Sequence, residues 1–314
     1  MPIDVSIIIV NWNARDVLRG CLRSIEEQTH ASREVIIVDN ASHDGSADMV
    51  RAEFSNFTLI ANSTNKGFAA ANNQGIEIAT GRYILLLNPD TIVLDHAIDK
   101  MIAWCDAHPQ VGCASCQIMT TEVDIQKTCF SDPSPLNTFL VESGLHRLLP
   151  RSRFFGRPEY SYWDRTSEKE VDVISGMFMM IPRAVIQTVG LLDEDFFIYA
   201  EEADLCRRIR KTGLSCVYAP FCRILHLDGG GKSTSQIKPQ MHVQLQKSLL
   251  IYIRKHDGRF AHAIAKAIFI GSSVARWTVF QLVARGTGNP EHKARARLAR
   301  AALAFHVLGS GSPS

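Results

Sequence analysis

What these 314 residues lack narrows the choices first. No unbroken run approaches the roughly 18 apolar residues of a bilayer span. The best candidate, Phe260 to Ala284, is interrupted by Lys266 and Arg276, so no span is expected. Met1-Pro2-Ile3-Asp4 has no basic n-region, so a cytoplasmic chain without secretory signal is expected. "IIIVNWNARDVL", after the first strand pattern, contains no glycine, which excludes the Gly-x-Gly-x-x-Gly turn of a nicotinamide dehydrogenase. Eight cysteines include Cys113-x-x-Cys116 but no second pair at ligand spacing, so buried free thiols are expected, not a zinc module. Acids are scarce at one end. From Lys232 onward 13 Lys and Arg face two acids, a balance of +11, leaving −9 on the remainder of a chain with formal charge +2. An acidic body with a basic tail suits an anionic surface as partner, and no nucleic-acid partner is expected.

What is present is an alternation of strand and helix patterns. Val5–Val10, Val35–Val38, Phe57–Ile60 and Tyr83–Leu87 are short, continuously apolar runs. Between them, Arg15–Gln28, Ser46–Phe54 and Phe68–Ala79 carry helical spacing, and Asp95–His108 follows the last strand. Strands apolar on both faces and separated by amphipathic helices predict a mostly parallel sheet covered by helices on each side. Residues 131–170, with Pro133, Pro135, Pro150 and Pro158, are expected to be an irregular, mobile excursion. Order is expected to return at Val171–Ile181, then short strands through Val217 and Ile224 to His226, then helix to the end.

Polar residues follow the strands where open α/β sheets bind ligands. Asn11 and Asn13 follow the first strand, Asp39-Asn40 the second, and Asn88-Pro89-Asp90 the fourth. Each also suits a tight turn, because Asn and Asp side chains hydrogen-bond their own backbone. Both readings can hold at one position.

Taken in order, "VSIIIVNWN" (5–13), "VIIVDNASHDGS" (35–46), "NKGFAAANNQG" (65–75), "LLLNPDT" (85–91), "SGMFMMIPR" (175–183), "FFIYAEEADLCRRIRKTG" (196–213) and "ILHLDGGGKS" (224–233) resemble the inverting family 2 glycosyltransferases. The resemblance is strongest to their bacterial rhamnosyltransferase-like branch and covers about residues 4–256. It implies a Rossmann-like GT-A fold, a nucleotide-diphosphate sugar donor and a divalent cation, Mg2+ or Mn2+. It implies that Asp39 contacts the nucleobase, that Asn11, Asn40, Lys66 and Gly67 line the nucleotide pocket, and that Asp90 and His226 lie at the metal and diphosphate. Asn-Pro-Asp has a single carboxylate where the family often has more, still compatible with a cation held largely by phosphates and water. Ser175, Gly176 and Asp193 are implied on the acceptor side, with a strand bulge the alternative for Gly176. An inverting transfer needs a base for the acceptor hydroxyl. The family's Glu-Asp-x-Asp is here Glu201-Glu202-Ala203-Asp204, so Glu202 falls at the base position and Asp204 is the second candidate. An acidic helix start, with Asp204 paired to Arg207 or Arg208, is the competing reading.

The expected organisation is a GT-A domain over residues 1–256 and a basic, helical C-terminal extension over 257–314. Ile264, Ile268, Phe269, Val274, Trp277 and Phe280 alternate there with Lys and Arg. That pattern fits either an interfacial helix on the inner face of the plasma membrane or a packing helix. The expected function is transfer of a sugar, rhamnose from dTDP-rhamnose being the first candidate, to a glycan or lipid-linked acceptor in bacterial surface-polysaccharide synthesis. A UDP- or GDP-sugar donor and a catalytically inactive nucleotide-sugar-binding protein are the alternatives.

Overall fold

The computed structural model describes residues 2–121, 123–227, 238–287 and 289–308. Contacts divide the chain into two compact units, residues 1–131 with 163–233 and residues 132–162 with 234–314. This differs from the expected cut after residue 256, because 132–162 and 234–256 group with the tail.

The first unit is built on a nine-stranded sheet. Its strands are β1 (Val5–Asn11), β2 (Arg33–Asp39), β3 (Thr58–Ala61), β4 (Tyr83–Leu87), β5 (Thr91–Val93), β6 (Val111–Met119), β8 (Lys169–Glu170), β10 (Phe178–Pro182) and β11 (Ser215–His226). A short pair, β7 (Cys129–Phe130) with β9 (Val173–Ile174), stands beside it. The order is β3-β2-β1-β4-β10-β6-β11-β5, with β8 on β11. Strands β1 to β4 and β6 with β11 pair in parallel, while β10, β5 and β8 run against their neighbours. Ile7, Ile8, Ile9, Ile37 and Leu85 are fully buried, as strands covered on both faces must be.

Helices α1 (Arg15–Gln28), α2 (Ser46–Glu53), α3 (Phe68–Ile78), α4 (Ala97–Ala107), α7 (Arg183–Val189) and α8 (Glu201–Lys211) belong to this unit. Leu18, Cys21, Leu22 and Ile25 form the buried stripe of α1. In α3 small residues permit a close approach to β1. A Cβ on Gly75 would stand 2.6 Å from Ile8 Cγ2. The eight cysteines are all buried and unbridged.

The second unit is helical. It contains α5 (Pro135–Glu142), the single turn α6 (Leu145–Leu148), a 3-10 turn (Arg157–Glu159), α9 (Lys238–Thr287) and α10 (Pro290–Leu308). The expectation of an irregular 131–170 fails at α5. Ser134 caps that helix by accepting from the Asn137 N–H at 3.2 Å, and Pro135 begins it, so the proline marks a helix start. Gly258, at φ 85° and ψ −178°, breaks α9 into two stretches. Phe269 is buried and its ring stacks on His306 of α10 at 5.4 Å, so this part of the tail packs internally. Ile264, Val274 and Trp277 remain exposed. Average apolarity along α9 differs from the length of its unbroken apolar runs. Gln240–Thr287 is long and apolar enough, by length and composition, to cross a bilayer. Two well-separated cations break an unbroken run without removing the average apolarity around them.

Gly75→Ala is expected to lower stability by about 1–3 kcal/mol through overpacking. Thermal unfolding of Gly75→Ala, Ile8→Ala and the double variant checks this: the double variant loses less than the sum of the two single losses, because Ile8→Ala removes the Cγ2 that the added methyl meets.

Candidate active site

Adjacent strand tips supply the first cluster. Asn11 ends β1 in register with Asp39 at the end of β2, and its Nδ2 donates to Asp39 Oδ1 at 2.9 Å and to Ser42 Oγ at 3.1 Å. The Ser42 N–H donates to Asp39 Oδ2 at 3.0 Å, an Asx turn that leads the chain away from the sheet. Asn11 is fully buried and supports the Asp39 carboxylate. Asn40 is similarly occupied. Its Oδ1 accepts from the Lys66 N–H at 3.0 Å, and its Nδ2 donates to Asn65 Oδ1 at 2.8 Å and Gly67 O at 3.2 Å. Asn40 therefore clamps the 65–67 turn, whose Lys66 side chain is exposed. Gly67 has φ 88°, and a Cβ there would lie 2.5 Å from Phe197 O. Glycine is required there on both counts.

The second cluster joins β4 to β11. After Leu87 the chain turns through Asn88-Pro89-Asp90 and returns as β5, antiparallel to β11 with Thr91 opposite His226. Asp90 Oδ1 and His226 Nε2 stand 3.0 Å apart. Both atoms are buried, and neither has a hydrogen bond of acceptable geometry among the described residues. His226 Nδ1 lies 3.0 Å from Gln126 Oε1, which makes Nδ1 the donor and directs the Nε2 lone pair toward Asp90. Gln126 had no signal in the sequence pattern, because it lies between short, weakly patterned segments. It is held by its own N–H, which donates to Ile118 O at 2.8 Å. A carboxylate oxygen and an imidazole nitrogen converging without other partners fit a divalent cation completed by phosphate and water. Among the described residues no group of three His, Cys, Asp or Glu could hold a metal unaided. The glycine-rich stretch expected beside His226 falls largely at 228–237, outside the described residues.

The third cluster is the turn into α8. Tyr199 and Ala200 both adopt left-handed backbone, at φ 71° and 69°. Two successive non-glycine residues there are costly, about 1–3 kcal/mol each, and such strain concentrates at functional sites. The turn is fixed from behind by Asn73 of α3. Asn73 Nδ2 donates to Leu192 O and Glu194 Oε1, each at 2.9 Å, and its Oδ1 accepts from the Leu192 N–H at 3.0 Å. The Phe68 N–H donates to Phe197 O at 2.6 Å, tying the same segment to the Gly67 turn. Asn73 falls inside the 65–75 motif, but its role was missed because its partners lie 119 and 121 positions away.

Three acids open α8 and separate sharply. Asp204 is fully buried and its Oδ2 accepts from Arg208 Nε at 2.8 Å. Arg208 also donates to the carbonyls of Val189, Gly190 and Leu191. Asp204 thus anchors a cation that braces the end of α7, the pairing that the competing reading of this helix start expected. Glu201 is buried, and burial with the neighbouring Glu202 charge holds its carboxyl protonated well above the ordinary range. Burial also raises Glu202, to about 7, while hydrogen bonds from its own backbone and from Glu201 work the other way. One Oε2 of each is buried without a partner among the described residues.

The three residues expected on the acceptor side each have a structural partner. The Ser175 N–H donates to Thr128 O at 2.9 Å, and Ser175 is buried. Gly176 is not left-handed, and the space a Cβ would use is bounded by the Phe68 ring at 3.4 Å, so the backbone there carries aromatic packing instead of an open face. Asp193 Oδ1 accepts from the Asp195 N–H at 3.0 Å, closing the loop before Phe196.

With this geometry in view, comparison with known proteins gives one answer. The family model "Glycosyl transferase family 2" matches residues 6–190, more than half the chain, and the chain belongs to that family. It is a glycosyltransferase with a GT-A fold. An N-acetylglucosaminyl-diphospho-decaprenol L-rhamnosyltransferase of Mycobacterium tuberculosis is 25% identical over 236 residues, covering 70% of this chain and 75% of that one. A low-salt glycan biosynthesis hexosyltransferase of Haloferax volcanii is 26% identical over 218 residues, covering 68% and 63%. Among solved structures, a mannosyltransferase of Pyrobaculum calidifontis, in complex with GDP-Man and Mn2+, matches with TM-score 0.56 at 16% identity, over 99% of this chain and 90% of that one. Residues 1–349 of S. aureus TarS with UDP match with TM-score 0.52 at 14% identity, over 85% and 69%.

Two opposite stability effects are expected at α8. Asp204→Asn strands Arg208 and costs about 3–5 kcal/mol. Glu202→Gln stabilises instead. A carboxyl with a raised native pKa holds its proton longer folded than unfolded, so native stability falls as pH rises from the ordinary value of 4.5 through about 7. The Tm gain of Glu202→Gln is therefore largest above pH 7 and vanishes near pH 4. Melting curves at pH 4 and pH 8 for both variants check the two signs.

Proposed function

We propose that the chain transfers a sugar with inversion from a nucleotide-diphosphate donor to a glycan or lipid-linked acceptor in cell-surface glycan assembly, with dTDP-rhamnose as donor. The observation that carries the sugar is the 236-residue match to the mycobacterial L-rhamnosyltransferase, whose acceptor by name is a diphospho-polyprenol. The site chemistry supports the reaction class. Asp39, held by Asn11 and the Ser42 N–H, keeps lone pairs for the imide edge of a pyrimidine base. The Lys66-Gly67 turn brings backbone to the same rim, with the Lys66 ammonium free to meet phosphate.

Asp90 and His226 would hold the cation, with Gln126 fixing the imidazole. When bound, Mg2+ or Mn2+ supplies positive charge to the departing diphosphate. Glu202 takes the acceptor hydroxyl proton onto its carboxylate as that oxygen attacks the anomeric carbon. A pKa of about 7 suits this task, since a base poised near the working pH combines strength with availability. Glu201, kept protonated, adds no second charge beside it. Ser175, Gly176 and Asp193 shape the acceptor side by placing Phe68 and the 193–196 loop. The exposed apolar and basic residues of 257–314 give the unit an affinity for the inner membrane surface.

A second donor reading has its own support. A UDP-Glc:α-D-GlcNAc-diphosphoundecaprenol β-1,3-glucosyltransferase of Escherichia coli is 38% identical over 99 residues, 31% of this chain and 39% of that one. A panel of dTDP-, UDP- and GDP-sugars, scored by thermal stabilisation with and without Mn2+, separates the readings. The dTDP-rhamnose arm is expected to give the largest metal-dependent shift, and a larger UDP-glucose shift would replace the first reading with the second.

The pH dependence tests the base. kcat/KM is expected to fall tenfold per pH unit below about 7, because the protonated Glu202 cannot accept the acceptor's proton. Glu202→Gln is expected to lower kcat at least about 100-fold with donor binding nearly unchanged. Wild-type turnover in that variant removes Glu202 from the role.

A further inference from the structure

Residues 145–157 of the second unit, "LHRLLPRSRFFGR", are not used by any of this chemistry, and their surface is unusual. Leu148 is 74% exposed, Leu149 48% and Phe154 52%. Arg147, Arg151, Arg153 and Arg157 alternate with them, all four exposed. Among the described residues none of these guanidinium groups has a hydrogen-bonding or ion-pairing partner. No acid occurs between Glu142 and Glu159. The segment is nonetheless built, not slack. The N–H groups of Ser152, Gly156 and Ser161 donate to Leu149 O, Ser152 O and Gly156 O at 3.1, 2.8 and 3.0 Å. A Cβ on Gly156 would stand 2.5 Å from Pro150 O, so the turn closes tightly on itself. At its base, His146 is buried against Leu140 O of α5 at 3.0 Å.

A fixed turn that holds large apolar side chains in water, interspersed along the chain with unpaired guanidinium groups, suits one environment. We propose that residues 145–157 insert Leu148, Leu149 and Phe154 into the headgroup region of an anionic phospholipid bilayer, with the four arginines on lipid phosphates. Guanidinium matches phosphate in a bidentate way, and apolar side chains beside it gain from leaving water. A second copy of the chain does not suit the patch, because a twofold contact would set four arginines against four arginines. The contact is separate from the one ascribed to 257–314, and it stands whichever sugar the donor carries.

Flotation of the full-length protein with phosphatidylcholine vesicles, with and without phosphatidylglycerol, tests it. Wild type is expected to float with the phosphatidylglycerol vesicles and to stay at the bottom with phosphatidylcholine alone. The triple variant Leu148→Glu, Leu149→Glu, Phe154→Glu is expected to lose at least about tenfold in partitioning. Each of Arg147→Gln, Arg151→Gln, Arg153→Gln and Arg157→Gln is expected to cost about fivefold. Unchanged melting and donor hydrolysis in these variants show that fold and site are intact. Wild-type flotation by the triple variant overturns the proposal, as does concentration-dependent dimerisation in lipid-free buffer that the triple variant abolishes. Loss of donor binding in wild type strikes the sugar-transfer reading and leaves this one standing.

Discussion

The structure depends on how the chain leaves β4. A strand buried on both faces has no place for a carboxylate, yet Asp90 follows Leu87 by three residues. The answer lies in backbone pairing. The Asn88 N–H donates to Met177 O at 3.1 Å, Thr91 Oγ1 to Asn88 O at 2.8 Å, and the Leu227 N–H to Asp90 O at 2.8 Å. β5 then zips against β11 with Thr91 opposite His226. Asp90, just after β4, and His226, at the end of β11, meet at 3.0 Å because the ladder leaves them nowhere else to be. Buried polar atoms without partners cost about 1–3 kcal/mol each. A fold that keeps two of them face to face is prepared for something that satisfies both.

The same logic governs α8. Tyr199 and Ala200 adopt left-handed backbone, while Asn73 and the Phe68 N–H anchor the preceding segment at Leu192, Glu194 and Phe197. The helix consequently begins with Glu201 and Glu202 already desolvated. A helix N-terminus favours ionised carboxylates, while burial opposes them. Burial wins at both positions, and the result is one protonated acid beside one poised near neutrality. Stability is sacrificed for readiness, a familiar trade at functional sites.

Much of the sheet was legible because apolar runs and helical spacing are strong local signals. α1 and β4 begin and end where the periodicity places them. Asp39, Asp90, Glu202 and His226 could be singled out because they sit at strand or helix tips inside recognisable motifs. What escaped was tertiary. Asn11 and Asn40 read as ligand contacts, and only the tertiary structure shows that the Asn11 Nδ2 also braces Asp39 and that the Asn40 amide clamps the 65–67 turn. The Asp204–Arg208 pair was one of two readings open in the sequence, and the path of Arg208 across three carbonyls adds what the pair braces. Gln126 lies in a segment with no pattern of its own, and Asn73 bonds residues 119 and 121 positions further along the chain. Proline was read as irregularity at Pro135, where a preceding Ser134 cap turns it into a helix start.

The central claim is that Asp90 and His226 form a cation seat that grips the diphosphate. Electron paramagnetic resonance titration of Mn2+ in the presence of dTDP tests it most directly, in wild type, Asp90→Asn and His226→Gln. The account predicts one Mn2+ bound per chain when nucleotide is present, with affinity reduced at least about tenfold in each variant. Equal Mn2+ and nucleotide binding in all three proteins would contradict it.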